Sequence, residues 1–302
     1  MLNILRAIDY LSGFINGEDV IAGSFFEKLL AGRWIAGRRI EDAVHRTKEL
    51  NGRGMGAILN YLGEEFTDRN DVEDAVNKCL KLINAVHSNG IRADVSVKPT
   101  QIGLRISYAY AASNYLRILR HARRYHVFVW LDMEGFESVD DTIRLYLDNL
   151  GVSKVKSTGI CIQSYLKRSG GDVRRITGMG GVIRLVKGAY KESASIAYTD
   201  RAGVTAHYAR LMKYLFEHSN TFTIATHDSA MIDRAIRLNE IHSRNVTLAM
   251  LNGIRNRYAE HLAASRRVYI YVPFGERWVD YSIRRLRELS NALLIARSLF
   301  SR

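Results

Sequence analysis

The run VIRLVKGAY, residues 182–190, places two cations, Arg184 and Lys187, among Val182, Ile183, Leu185 and Val186. A buried unpaired cation is costly, so a strand of this kind needs an anionic or electron-rich partner for its charges. Other apolar runs end in the same way, with Lys98, Asp132 and Glu134, Gln163, His227 and Asp228, Asn252, and Tyr271. One polar strand end is ordinary, because strand ends meet solvent; a convergence of them reads as a site. Asp132 and Glu134 lie two apart and share a strand face, and Asp132 is the expected partner of Lys98, either as a structural ion pair or in substrate binding. Arg184, Val186, Gly188 and Tyr190 share a face, and Lys187 takes the other unless the chain has already turned; Arg184 is the deeper cation. His227, in ATHD, has the chemistry of a base, a phosphate donor or a metal ligand. No HxH, HExxH or Cys/His cluster accompanies it, so no metal is expected, and no GxSxG, Walker or Rossmann pattern occurs. Near the end, Arg284 and Arg285 precede Glu288 at helical pairing distance and would present a guanidinium pair to a carboxylate.

Eight short apolar runs supply the elements that must hold these groups: residues 54–64, 93–103, 126–135, 158–166, 181–190, 221–228, 246–254 and 267–275. Helical periodicity lies between them. Val72, Ala75, Val76, Cys79, Ile83 and Val86 mark one face, with Asp71 as the expected cap, and Ser138 with Asp141 has capping-box spacing before a helix ending at Gly151. Strand then helix, eight times over, predicts an α/β fold of the (β/α)₈ TIM-type barrel class, with the site at the C-terminal ends of the strands. Residues 1–53 are expected to form an N-terminal helical segment, and 54–302 the catalytic barrel, its C-terminal helix closing the site.

The composition belongs to a cored globular chain: 302 residues, 47% hydrophobic and 25% charged, with two prolines. Two cysteines, Cys79 and Cys161, are too few for a disulfide framework and read as small buried residues in a reducing compartment. The start of the chain lacks the pattern of a signal peptide and no run is long enough for a spanning helix, so a cytoplasmic location is expected. The net charge of +13 would suit an acidic partner, and ten arginines but no lysine fall after residue 254. They are scattered at helical spacing without a nucleic-acid motif, so no nucleic-acid partner is expected.

LDMEG, IQSYL, VIRLVKGAY, ATHD and YVPFGERWVDYSIRRLRE, which follow one another in this order, resemble the motifs of the proline dehydrogenase family in its monofunctional form, over most of the chain from about residue 54. The resemblance implies a distorted barrel that holds FAD without a Rossmann fold and oxidises L-proline to 1-pyrroline-5-carboxylate by hydride transfer to flavin N5. It implies that Arg184 lies at the N5 edge, and that Gln163, Val186, Lys187, Gly188, Ala189, Ala225, Thr226 and His227 contact the cofactor. The substrate carboxylate would be held by Lys98, Arg284 and Arg285, with Asp132 organising Lys98 and Glu288 pairing with the arginines. Tyr190, Tyr271 and Tyr281 would wall the pyrrolidine ring, and Tyr271 would favour proline over hydroxyproline. Pro99, Lys191 and Asn252 depart from the residues usual at their positions.

The implied electron acceptor is a membrane quinone. The arginine-rich C-terminal helix would either lie against anionic lipid, giving a peripheral membrane contact, or pack on the barrel. The sequence carries no signal for the oligomeric state. A rival enzyme reading is a Schiff-base lyase or aldolase with Lys187 or Lys98 as the amine and Asp132 assisting; a basic nucleic-acid binder is a third, motivated by charge alone.

Overall fold

The computed structural model describes residues 34–151 and 157–278. Eight parallel strands close in sequence order into one barrel. They are β1 (Gly56–Tyr61), β2 (Ala93–Val97), β3 (Val129–Leu131), β4 (Thr158–Gln163), β5 (Ile183–Val186), β6 (Thr221–Ala225), β7 (Asn245–Leu251) and β8 (Val268–Phe274). Each of the eight apolar runs falls on one strand, and seven contain theirs entirely; β7 begins one residue before its run, at Asn245. The ring closes where Ile58 of β1 pairs with Tyr271 of β8. Helix α1 (Ile40–Gly52) precedes the barrel and packs on β1 and β8. The strands are linked by α2 (Arg69–Ser88), α3 (Tyr108–Arg124), α4 (Val139–Leu150), α5 (Ser169–Gly178), α6 (Arg201–His218), α7 (Ser229–His242) and α8 (Asn256–Ala263). None of the helices among the described residues is long and apolar enough to cross a membrane.

The period of two sorts each strand's side chains to opposite sides of the barrel wall. On β5, Ile183 and Leu185 are fully buried in the core shared with the outer helices, whereas Arg184 lies across the barrel interior, over the rings of Trp130 and Tyr271. Burial of an aliphatic side chain such as Ile183 or Leu185 stabilises the fold by about 1.5–3 kcal/mol each. A smaller interior cluster, Ile58, Trp130, Val182 and Ala249, fills the lumen. Gly159 is needed beside it: a Cβ there would sit 2.4 Å from the Trp130 ring.

Two expected caps are corrected. The N-cap of α2 is Asp68, whose carboxylate accepts from the Asn70 and Asp71 backbone N–H groups. Asp71 lies inside the first turn, where its charge still favours the helix N-terminus. At α4, Ser138 does occupy the N-cap position but forms no side-chain cap. A short 3₁₀ turn over Phe136–Ser138 leads into the helix, and the Ser138 hydroxyl donates instead to the Gly135 carbonyl.

Candidate active site

The centre of the barrel holds a polar cluster drawn from five strands. Arg184 is 3% exposed and forms an ion pair with Asp132 through Nη2. Its Nη2 also donates to Ser96 Oγ at 3.2 Å, and its Nε to Cys161 Sγ at 2.8 Å. Asp132 Oδ1 further accepts from the Ser96 hydroxyl at 2.8 Å, and Oδ2 from the Tyr271 hydroxyl at 2.8 Å. The buried Nη1 of Arg184 has no hydrogen-bond partner among the described residues. Burial pushes the Cys161 thiol up to about 12, so it remains a neutral S–H beside these charges.

The expected pairing of Lys98 with Asp132 is therefore corrected. Lys98 follows the last residue of β2 and reaches toward the end of β1, where its Nζ meets Glu64 at 2.6 Å. Asp132 is committed to Arg184. Tyr190 joins Lys98 and Glu64: its hydroxyl donates to Glu64 and accepts from Lys98, both at 3.3 Å.

The expected strand face of β5 is also shorter than proposed. The strand stops at Val186, and Gly188, at φ +112°, turns the chain away. A Cβ on Gly188 would lie 2.1 Å from the Tyr165 ring, so the turn demands glycine on both counts. Val186 shares the inward side with Arg184; Ala189 and Tyr190 follow the turn. Lys187, freed from the strand, pairs with Asp228 at 2.9 Å and approaches Thr205 Oγ1 at 3.3 Å. Burial alone would raise the Asp228 carboxyl, but the hydrogen bond and charge of Lys187 outweigh it and hold it below its usual range.

The remaining candidates sit at the same end of the barrel. The Gln163 amide donates to the Glu134 carbonyl, and the buried Glu134 carboxyl is held by the Thr100 N–H and hydroxyl. Burial raises the Glu134 carboxyl despite the nearby Lys98 charge and those bonds. After Ala225 at the end of β6, Thr226 Oγ1 accepts from the Asp228 N–H. His227 Nε2 accepts from the Leu251 N–H at 3.0 Å, which places the proton of the neutral ring on Nδ1. Asn252 serves α1 instead of the mouth: it accepts from Arg46 and donates to the Trp34 carbonyl. Tyr281, Arg284, Arg285 and Glu288 lie outside the described residues.

Sequence reasoning missed Glu64, Ser96, Trp130 and Cys161. The signal was available for three of them, because Ser96, Trp130 and Cys161 each precede by two residues a candidate already chosen, Lys98, Asp132 and Gln163, and so share its strand face. A separate cleft of about 330 Å³ opens at the opposite, N-terminal end of the strands, lined by His87, Arg92, Asp94, Tyr125, Phe128 and Tyr269 among others. Burial pushes the Asp94 carboxyl up to about 7, against the hydrogen bond from the Trp130 indole.

Comparison with known proteins identifies the family. The family model described as Proline dehydrogenase matches residues 43–293. Proline dehydrogenase 1 of Bacillus subtilis is 32% identical over 286 residues, spanning 93% of this chain and 94% of that protein. A proline dehydrogenase of Deinococcus radiodurans is 35% identical over 266 residues, covering 86% of each. Among solved structures, proline utilization A from Bdellovibrio bacteriovorus superposes with a TM-score of 0.84 at 23% identity, sharing the fold over 93% of this chain. The chain spans about a third of that longer protein, 35% of its length. The lysine lyase alternative finds no support in these likenesses. Its chemistry is also disfavoured, since a Schiff-base amine must be neutral and Lys98 and Lys187 are each held by a carboxylate. By sequence and by fold, the chain belongs to the proline dehydrogenase family.

Proposed function

We propose that this chain oxidises L-proline to 1-pyrroline-5-carboxylate with FAD bound at the C-terminal mouth of the barrel, and that the electrons pass to a membrane quinone. The observation that carries the reading is Arg184: a cation buried in the lumen, anchored on one edge, with Nη1 left to a partner the described residues do not supply. An electron-rich flavin edge fits that donor. Gln163, Val186, Lys187, Gly188, Ala189, Ala225, Thr226 and His227 surround the same opening and would hold the cofactor with Arg184. Bound there, FAD would supply the two-electron acceptor for the substrate carbon beside nitrogen.

The chain's own residues would orient and tune. Asp132 holds the guanidinium of Arg184 in place, so a fixed positive charge faces the region where negative charge develops. Lys98 would take the substrate carboxylate, for which it must exchange its present partner Glu64, and Arg284 and Arg285 would complete the clamp, with Glu288 paired to them. Tyr190, Tyr271 and Tyr281 would offer ring faces to the apolar part of proline. The C-terminal helix would close the site, and its arginines would allow peripheral contact with anionic lipid. The test is the visible spectrum of the purified protein, before and after L-proline is added without oxygen. A flavin spectrum that bleaches with proline is expected; a colourless protein, or a flavin that proline leaves oxidised, refutes the proposal.

A further inference from the structure

Arg184 and Asp132 could pair in the usual two-pronged way, with both carboxylate oxygens on the Nε and Nη2 edge of the guanidinium. They do not. Asp132 uses Oδ1 alone on Nη2, and Nε donates to Cys161 Sγ at 2.8 Å. The sulfur occupies the place of the second carboxylate oxygen. That oxygen, Oδ2, is left to accept the Tyr271 hydroxyl at 2.8 Å. Cys161 also lies 3.5 Å from Asp132 Oδ1, to which its S–H donates. It thus bridges acid and base and fixes the carboxylate in its one-pronged pose.

We infer that Cys161 is a positioning residue for the substrate site: by taking the second prong of Arg184 it keeps Asp132 Oδ2 free to hold Tyr271. The consequence for proline binding rests on the function proposed above, in which Tyr271 walls the substrate ring; the linkage among the four side chains does not. Without an acceptor at residue 161, Asp132 turns both oxygens onto Arg184 and its hydrogen bond from the Tyr271 hydroxyl is lost. Cys161 and Tyr271 stand on β4 and β8 and are linked through Asp132 and through Arg184, which lies over the Tyr271 ring; Tyr271→Phe keeps the ring and so isolates the link through the hydroxyl.

The test is a double-mutant cycle of Cys161→Ala with Tyr271→Phe, read from the equilibrium unfolding of the purified protein. In the wild-type background, Tyr271→Phe should lower the folding equilibrium constant about tenfold, the value of a hydrogen bond to a charged acceptor. In the Cys161→Ala background it should change that constant less than twofold. Cys161→Val gives the same comparison with the volume kept, should alanine leave too large a void. Cys161→Ser restores an acceptor and should restore the tenfold effect. Proline KM should rise about tenfold in Cys161→Ala and Tyr271→Phe alike, without a further rise in the double variant. A Tyr271→Phe penalty equal in all backgrounds overturns the positioning role. Full coupling in stability with no bleaching by proline upholds the linkage and overturns instead the functional reading.

Discussion

Replacing Asp132 by asparagine removes one charge while keeping the shape of the side chain. The amide oxygen can still accept from Ser96 and Arg184, so most of the loss is electrostatic. Arg184, 3% exposed, is left as a buried cation without its counterion. Two unit charges about 4 Å apart at an effective dielectric near 20 attract by about 4 kcal/mol. Breaking a buried pair from one side costs about 3–5 kcal/mol in measured cases, the same range. For a chain of this length that corresponds to a fall in Tm of roughly 5–8 °C. Differential scanning calorimetry at fixed pH, on protein with its cofactor and stripped of it, measures this directly. The double variant Asp132→Asn with Arg184→Met should regain a large part of the loss, because no orphan charge remains. A fall below about 2 °C for Asp132→Asn, or a double variant less stable than both singles, would refute the view that this pair anchors the lumen.

Gly188→Ala should lower stability by about 1–3 kcal/mol through backbone strain alone, with the Tyr165 clash adding to it, and should weaken retention of the cofactor; thermal melting and the flavin-to-protein ratio report the two effects. Lys98→Met should raise proline KM at least tenfold with kcat less affected, since it removes a charged partner of the substrate carboxylate and leaves Glu64 facing it; steady-state kinetics over a wide proline range decide this. Asp94, with its carboxyl pushed up to about 7 from an ordinary value near 4, binds its proton more tightly in the folded chain. Its stabilising contribution is thus full below pH 4 and lost as pH rises through 7, so Asp94→Asn should flatten the stability profile in that window by about 2 kcal/mol, allowing for its partial exposure; unfolding curves at pH 4.5 and 8 test the sign. Activity should rise with pH until the substrate amine has lost its proton, and a pH–rate profile flat through the alkaline range would contradict this.

The barrel was legible in the sequence because each strand is a short apolar run set between segments of a different period. That contrast survives whatever the strands later pack against, and each of the eight runs covers its strand, to within one residue at the start of β7. Partners within the site were less legible. Lys98 and Asp132 have opposite charge and each follows the last residue of its strand, β2 and β3, yet each takes its partner elsewhere, Lys98 from Glu64 beyond β1 and Asp132 from Arg184 on β5. Sequence spacing gives the face of a residue but not how far its side chain reaches across the barrel, so Glu64 and Arg184 could not be assigned as the true partners. Cys161 was passed over for another reason. A small thiol inside a barrel is usually filler, and only the position of the Arg184 Nε gives it a task. The caps failed by local competition, with Asp68 available ahead of Asp71 and a 3₁₀ turn engaging Ser138.

The cross-braced lumen also bears on how the chain comes together. Asp132 waits 52 residues for Arg184 and 139 for Tyr271, so a growing or truncated chain carries the acid long before the last group that satisfies it. A half-barrel ending after β4 would hold Ser96, Asp132 and Cys161 with no cation among them. Such a fragment lacks the guanidinium that anchors this carboxylate in the complete barrel, so its centre cannot reach the finished arrangement. Ring closure should therefore coincide with completion of this polar network, because Tyr271 on β8 both pairs in register with β1 and supplies the last hydrogen bond to Asp132.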